Sequence, residues 1–231
     1  MDERRLASPN GQIEIRVFIA PPPDAASLDG LAYQVWVRGK RLLDTSYLGL
    51  DIFSQTPFLG EKVGLVNSRT ARESGFNSLL VEYLQNGSLG RRINVEARVW
   101  DDGVAFRYVI PRSAPLDDIL IADEVTEFRF ASGIAPATTA SASGERLTPP
   151  FVVEAPGAGW VAVSEVAAGD YPRMTLLRTG GGKLQVILPR TENEPWVAFS
   201  ARTPLTTPWR VIAIGASRES VALPPLIGNL Q

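Results

Sequence analysis

Neither cysteine nor histidine occurs in the 231 residues. Their absence excludes disulfides, thiolate nucleophiles, Ser-His-Asp triads and the usual zinc sites, each of which needs a thiolate or an imidazole. Carboxylates, lysine, tyrosine, serine and the backbone remain as chemical tools. Lysine itself is scarce, with 3 Lys against 20 Arg, and the 23 basic side chains are balanced by 25 acidic ones for a net charge of -2. The arginines are scattered among carboxylates, so no footprint for nucleic acid or anionic lipid is present and neither partner is expected. No run approaches the roughly 18 apolar residues of a membrane helix, and residues 1–7 are too charged for a signal peptide, so a chain outside the membrane is expected. The lack of cysteine does not assign a compartment, because a domain of this length can bury enough apolar surface to fold without disulfides.

A helical stripe is also missing: no segment of 12 or more residues repeats its apolar positions at 3.6-residue spacing. Alternation replaces it. Ile13, Ile15, Val17 and Ile19 form one such series; Ile93, Val95, Ala97 and Val99 form a second; Val104, Phe106, Tyr108 and Ile110 form a third. Each predicts a strand with one face on a core. Residues 91–100 and 103–110, separated by Asp101-Asp102-Gly103, predict a hairpin. Further strands are expected over 31–37, 79–84, 124–130, 159–164, 173–178, 183–188, 196–200 and 208–215. Asn86-Gly87, Gly180-Gly181-Gly182 and Arg38-Gly39-Lys40 suit tight reversals. Strands recurring this often predict an all-β protein, a large antiparallel β-sandwich. Residues 20–30 and 134–150 read as surface loops. The domain is expected over residues 1–222, with 223–231 as a linker leaving it.

Several strings carry a resemblance. Ser8-Pro9-Asn10-Gly11-Gln12-Ile13-Glu14-Ile15, Leu31-Ala32-Tyr33-Gln34-Val35 with Gly39-Lys40, and Ser46-Tyr47-Leu48-Gly49-Leu50 open the series. Asp101-Asp102-Gly103-Val104-Ala105-Phe106-Arg107-Tyr108, Ser164-Glu165 with Asp170-Tyr171-Pro172-Arg173-Met174, and Thr207-Pro208-Trp209-Arg210-Val211-Ile212 follow. In order and spacing these resemble the N-terminal domain of glycoside hydrolase family 97. The resemblance implies a galactose-mutarotase-like β-supersandwich placed before a catalytic (β/α)₈ barrel in secreted or periplasmic α-glucosidases and α-galactosidases. A barrel takes roughly 250 residues by itself, so the catalytic domain lies outside these residues. The expected partners are the barrel of the same polypeptide and a carbohydrate substrate.

By the same resemblance Glu165 is a calcium ligand, projecting to an ion shared with glutamates of the barrel. A hard cation asks for 6–8 oxygens, so this chain alone is expected to bind calcium weakly or not at all. That role predicts Glu165 at a strand end, its carboxylate turned outward and without a local arginine partner. Where relatives carry aromatic residues, 134–144 has none. No catalytic residue is expected here. Asp101 and Asp102 are a carboxylate pair, but a glycosidase needs two carboxyls facing one another across about 5–10 Å, and neighbours in a turn point apart. Trp36, Trp100, Trp160, Trp196 and Trp209 could stack on sugar rings, yet core packing is the expected use, least so for Trp160 and Trp196 beside Gly/Pro-rich turns. Asn86-Gly87-Ser88 matches a glycosylation sequon but is explained by a hairpin turn. Arg210 is read as an exposed strand arginine or as a fork holding a carboxylate at a domain interface. The competing function is a free-standing carbohydrate-binding or interaction module. A mutarotase-like enzyme is disfavoured because that chemistry uses histidine.

Overall fold

The computed structural model describes residues 2–21, 28–86, 90–112, 116–134, 144–222, 226, 228 and 230. In chain order the strands are β1 (Arg4–Ala7), β2 (Ile13–Ala20), β3 (Gly30–Val37), β4 (Lys40–Tyr47), β5 (Leu50–Ile52), β6 (Val63–Arg72), β7 (Phe76–Gln85), β8 (Arg92–Trp100) and β9 (Gly103–Ile110). They continue as β10 (Asp118–Glu124), β11 (Glu127–Arg129), β12 (Arg146–Leu147), β13 (Phe151–Ala155), β14 (Gly159–Val166), β15 (Thr175–Gly180), β16 (Lys183–Ile187), β17 (Phe199–Arg202), β18 (Leu205–Thr206) and β19 (Trp209–Gly215). One five-residue helix, α1 (Arg218–Ala222), follows. The expected all-β antiparallel architecture is what the chain adopts, and among the described residues no helix is long and apolar enough to cross a membrane.

Among the described residues four sheets result, in the orders β1-β2-β3-β4, β17-β10-β5, β11-β16-β15-β12 and β13-β14-β19-β9-β8-β7-β6, the last with β18 added on β9. Alternation decides which side chains meet. Ile13, Ile15 and Val17 of β2 face Val95, Ala97 and Phe106 of the large sheet in one buried core, where the Tyr33 and Phe106 rings lie 4.7 Å apart. Two reversals show why these residues make these turns. Val37 pairs with Lys40 across a two-residue loop in which Arg38 and Gly39 both have positive φ (49° and 75°), the backbone of a type I′ hairpin turn. Gly103 opens β9 against β19, where a Cβ would sit 2.5 Å from the Ile212 carbonyl oxygen.

Some expectations are corrected. The run over 124–130 is split between two strands, β10 and β11, broken at Val125-Thr126, and β17 starts at Phe199 rather than 196. The segment 223–231 was expected to leave the domain. Its described residues Leu226 and Leu230 are buried in a second core with Trp100, Trp209, Val211 and Val221, on the outer face of the large sheet. Apolar side chains at those two positions cover part of that sheet face. Residues 22–27 and 135–143 of the two expected loops lie outside the described residues, as do Gly87 and Ser88 of the sequon; β7 and β8 pair antiparallel on either side of it.

Candidate functional site

The register of β14 against β19 sets Glu165 opposite Arg210. Along β19, Ile212 and Ile214 belong to the main core while Trp209, Val211 and Ala213 belong to the second. Alternation therefore turns Arg210 inward, and its side chain is 1% exposed. Glu124, the last residue of β10, reaches the same point from the three-stranded sheet and is fully buried. Arg210 Nε donates to Glu124 Oε1 at 2.8 Å and its Nη2 donates to Oε2, a bidentate fork. Its Nη1 donates to Glu165 Oε2 at 2.6 Å. One guanidinium thus ties together two carboxylates from different sheets.

Neutral groups complete the cluster. The Thr126 hydroxyl donates to Glu124 Oε1 at 2.7 Å, and the Tyr171 hydroxyl donates to Oε2 at 3.3 Å. The Tyr108 hydroxyl lies 2.6 Å from Thr126 Oγ1 and accepts the Gly49 N–H. Burial would lower the pKa of Arg210, but the charge and hydrogen bonds of Glu124 reverse that and raise it. Burial, and then the charge of Glu124, push the Tyr108 and Tyr171 phenols up. The arginine stays charged and both phenols stay protonated as donors. A general acid or base needs a group poised near the working pH, and neither the guanidinium nor these phenols is one.

The expected geometry of Glu165 is half right. It lies next to the end of β14, yet its side chain is 7% exposed and paired to Arg210, with Arg173 Nη1 at 3.6 Å and the Met174 N–H donating at 3.2 Å. The outward, unpartnered carboxylate is overturned because the strand's parity points Glu165 the same way as Val161 and Val163, toward the core. Both oxygens of Glu165 accept N–H donors of this chain, and among the described residues no three acidic side chains gather, so these residues alone hold no complete ligand set for calcium. Arg210, expected at the surface, is buried. Glu124 and Thr126 were missed by sequence reasoning; the available signal was an arginine inside the unbroken apolar run of β19, which reads as buried on both faces and so demands a buried partner.

The remaining candidates separate. Asp101 and Asp102 sit in the β8–β9 turn, where Asp101 Oδ1 accepts the Asn10 N–H at 2.9 Å. Burial, and then Asp101, raise the pKa of Asp102. Trp100 and Trp209 are core residues, Trp36 and Trp160 are half-buried, and Trp196 is 67% exposed.

A sequence profile described as glycosyl-hydrolase 97 N-terminal matches residues 6–138 and 134–231. The chain belongs to the glycosyl-hydrolase 97 N-terminal family. Solved structures with the same fold include a glycoside hydrolase family 97 enzyme from Pseudoalteromonas sp. strain K8 in complex with acarbose, at 21% identity and TM-score 0.79. A variant of the same enzyme is similar at 21% identity and TM-score 0.81; in both cases 99% of this chain covers 38% of the other. A β-arabinopyranosidase is similar at 22% identity and TM-score 0.75, with 94% of this chain covering 40% of that one. No curated protein sequence matches. This family 97 N-terminal domain thus spans well under half the length of the enzymes whose fold it shares. Its buried Arg210 cluster joins Glu165 and Tyr171, from the Ser-Glu and Asp-Tyr-Pro strings, to Arg210 of the Pro-Trp-Arg string.

Proposed function

We propose that the chain serves as the non-catalytic N-terminal domain of a longer, secreted or periplasmic glycoside hydrolase acting on α-glucosides or α-galactosides. The acid and the base or nucleophile come from a (β/α)₈ barrel on the same polypeptide. The observation that carries this reading is the family match along the whole chain combined with its 38% share of the enzymes of like fold. The chemistry of the described residues agrees: Glu124 and Glu165 share one guanidinium instead of facing each other across an open cleft. In this reading the domain completes one wall of the barrel's active site. Glu165, its inward carboxylate locked by Arg210 and the Met174 N–H, lines a 350 Å³ cleft with Ser164, Arg173 and Thr148, where a second domain would rest against this end of β14.

The test is to express the complete open reading frame and the 231-residue chain side by side. The complete product is expected to hydrolyse a nitrophenyl α-glucoside or α-galactoside, and the shorter chain neither. Turnover by the purified shorter chain, abolished by replacing one of its Glu or Asp residues, would overturn the proposal. A frame without a catalytic domain would do the same.

A further inference from the structure

Trp196 differs from the other four tryptophans. Trp100 and Trp209 are buried, Trp160 packs on the second core, and Trp36 lies beneath the guanidinium of Arg16 at 4.2 Å. Trp196 is 67% exposed. It lines a 250 Å³ cleft with Phe53, Leu120, Asn193, Glu194 and Ser200, on the outer side of the β17-β10-β5 sheet. Phe53 and Leu120 are themselves 38% and 43% exposed.

The loop that carries Trp196 is pinned although the side chains it presents to the cleft are idle. Glu194 N donates to both the backbone carbonyl and the hydroxyl of Thr191 at 3.2 Å. Arg190 Nη1 donates to the Pro195 carbonyl at 3.3 Å while its Nη2 pairs with Asp123 at 3.0 Å. Ala198 N donates to the Ile121 carbonyl at 2.8 Å, joining the loop to β10. By contrast the indole of Trp196, the amide of Asn193 and the carboxylate of Glu194 have no partner in the described structure. An ordered backbone presenting an open aromatic face beside idle polar groups has already met the entropic cost that binding would otherwise carry.

We propose that this cleft is a saccharide-binding site, separate from the Arg210 cluster, that takes a neutral oligosaccharide. A pyranose has one face of C–H groups, which fits the indole face, and equatorial hydroxyls at its rim, which need both donors and acceptors. Asn193 and Ser200 supply both, Glu194 accepts, and Phe53 and Leu120 give an apolar edge. A protein docking face would bury Asn193 and Glu194 against apolar surface, and charged residues are depleted at the centre of such faces. The choice of α-glucan as first ligand rests on the proposed function; the site itself does not.

The test is calorimetric titration of the full chain with maltoheptaose, galacto-oligosaccharides and arabino-oligosaccharides, on the parent and on Trp196→Ala, Asn193→Ala and Trp36→Ala, each checked for an unchanged melting temperature. Saturable binding of at least one glycan is expected, weakened about tenfold or more by Trp196→Ala, less by Asn193→Ala and not by Trp36→Ala. Binding of another neutral glycan but not maltoheptaose supports the site and counts against an α-glucan substrate. No binding by the parent, or binding indifferent to Trp196→Ala, overturns the site. If, in addition, Trp196 fluorescence is shielded from acrylamide in the complete gene product, the cleft is a docking face for another domain.

Discussion

Two arginines are buried among the described residues, and the chain treats them differently. Arg210 meets two carboxylates, one of them bidentate, from two other strands. Arg91, equally buried, has among the described residues neutral acceptors: Gln85 Oε1 at 2.6 Å, Gln55 Oε1 at 2.9 Å and the Pro57 carbonyl at 2.6 Å. Gln85 in turn donates to the carbonyls of Phe58 and Glu61. Arg210 therefore welds sheets together by charge, whereas Arg91 stitches the segment from Gln55 to Glu61 onto the end of β7 by hydrogen-bond count. Burial lowers the pKa of Arg91 with nothing to offset it, while Glu124 raises that of Arg210. A buried guanidinium in this fold is a joint, and its partners report what it joins.

The comparison can be broken by removing each joint. Arg210→Met leaves Glu124 as a buried carboxylate without a counter-charge, which should cost about 3–5 kcal/mol; in a thermal melt this is a drop on the order of 10 °C. Adding Glu124→Gln to Arg210→Met should recover part of that loss, and a double variant no more stable than the single one would deny the charge argument. Arg91→Met removes three hydrogen bonds but strands no charge, so a smaller loss of about 1–3 kcal/mol is expected in urea unfolding. A loss equal to that of Arg210→Met would erase the distinction drawn between them.

The smallest effect lies where like charges meet. Asp51 is opposite Asp123 in the β5–β10 register, and burial, followed by Asp123, raises its pKa despite Arg190 nearby. A carboxyl group with a raised folded-state pKa holds its proton more tightly when folded, so its ionisation weakens the fold; that penalty is complete above the folded value and absent below the ordinary carboxylate range. Asp51→Asn should then raise the melting temperature at pH 7 by about 1 °C, because solvent screens the pair. The gain should vanish on acidification, and a gain that is the same at every pH would rule out Asp123 as its source.

Strands with one apolar face were legible in the sequence. Ile13 to Val17 and Ile93 to Val99 alternate because that side of each is buried, and the pattern survives in the pairings of β2 and β8. The edge strand β6 was not legible: Val-Gly-Leu-Val-Asn-Ser-Arg-Thr-Ala-Arg is mostly exposed and pairs only with β7, so no core writes a period into it. In the site, the strings around Glu165, Tyr171 and Arg210 were visible one by one. Their meeting was not, because Glu124 lies 86 residues from Arg210 and is brought there by packing of a different sheet. The inward turn of Glu165 was available from its parity with Val161 and Val163 but was masked by the ligand role the resemblance implied.

The position of β19 sets a schedule for making the domain. This strand lies between β14 and β9, so β9 has β8 on one side and, on the other, only strands that come about a hundred residues later in the chain. During synthesis the apolar edge of β9 stays open until Leu205 to Gly215 has left the ribosome. Long-range pairing of this kind is slow, and an open edge is where a growing chain associates wrongly. Until its last strand arrives, the nascent domain carries an unpaired edge on β9 where a wrong pairing can start.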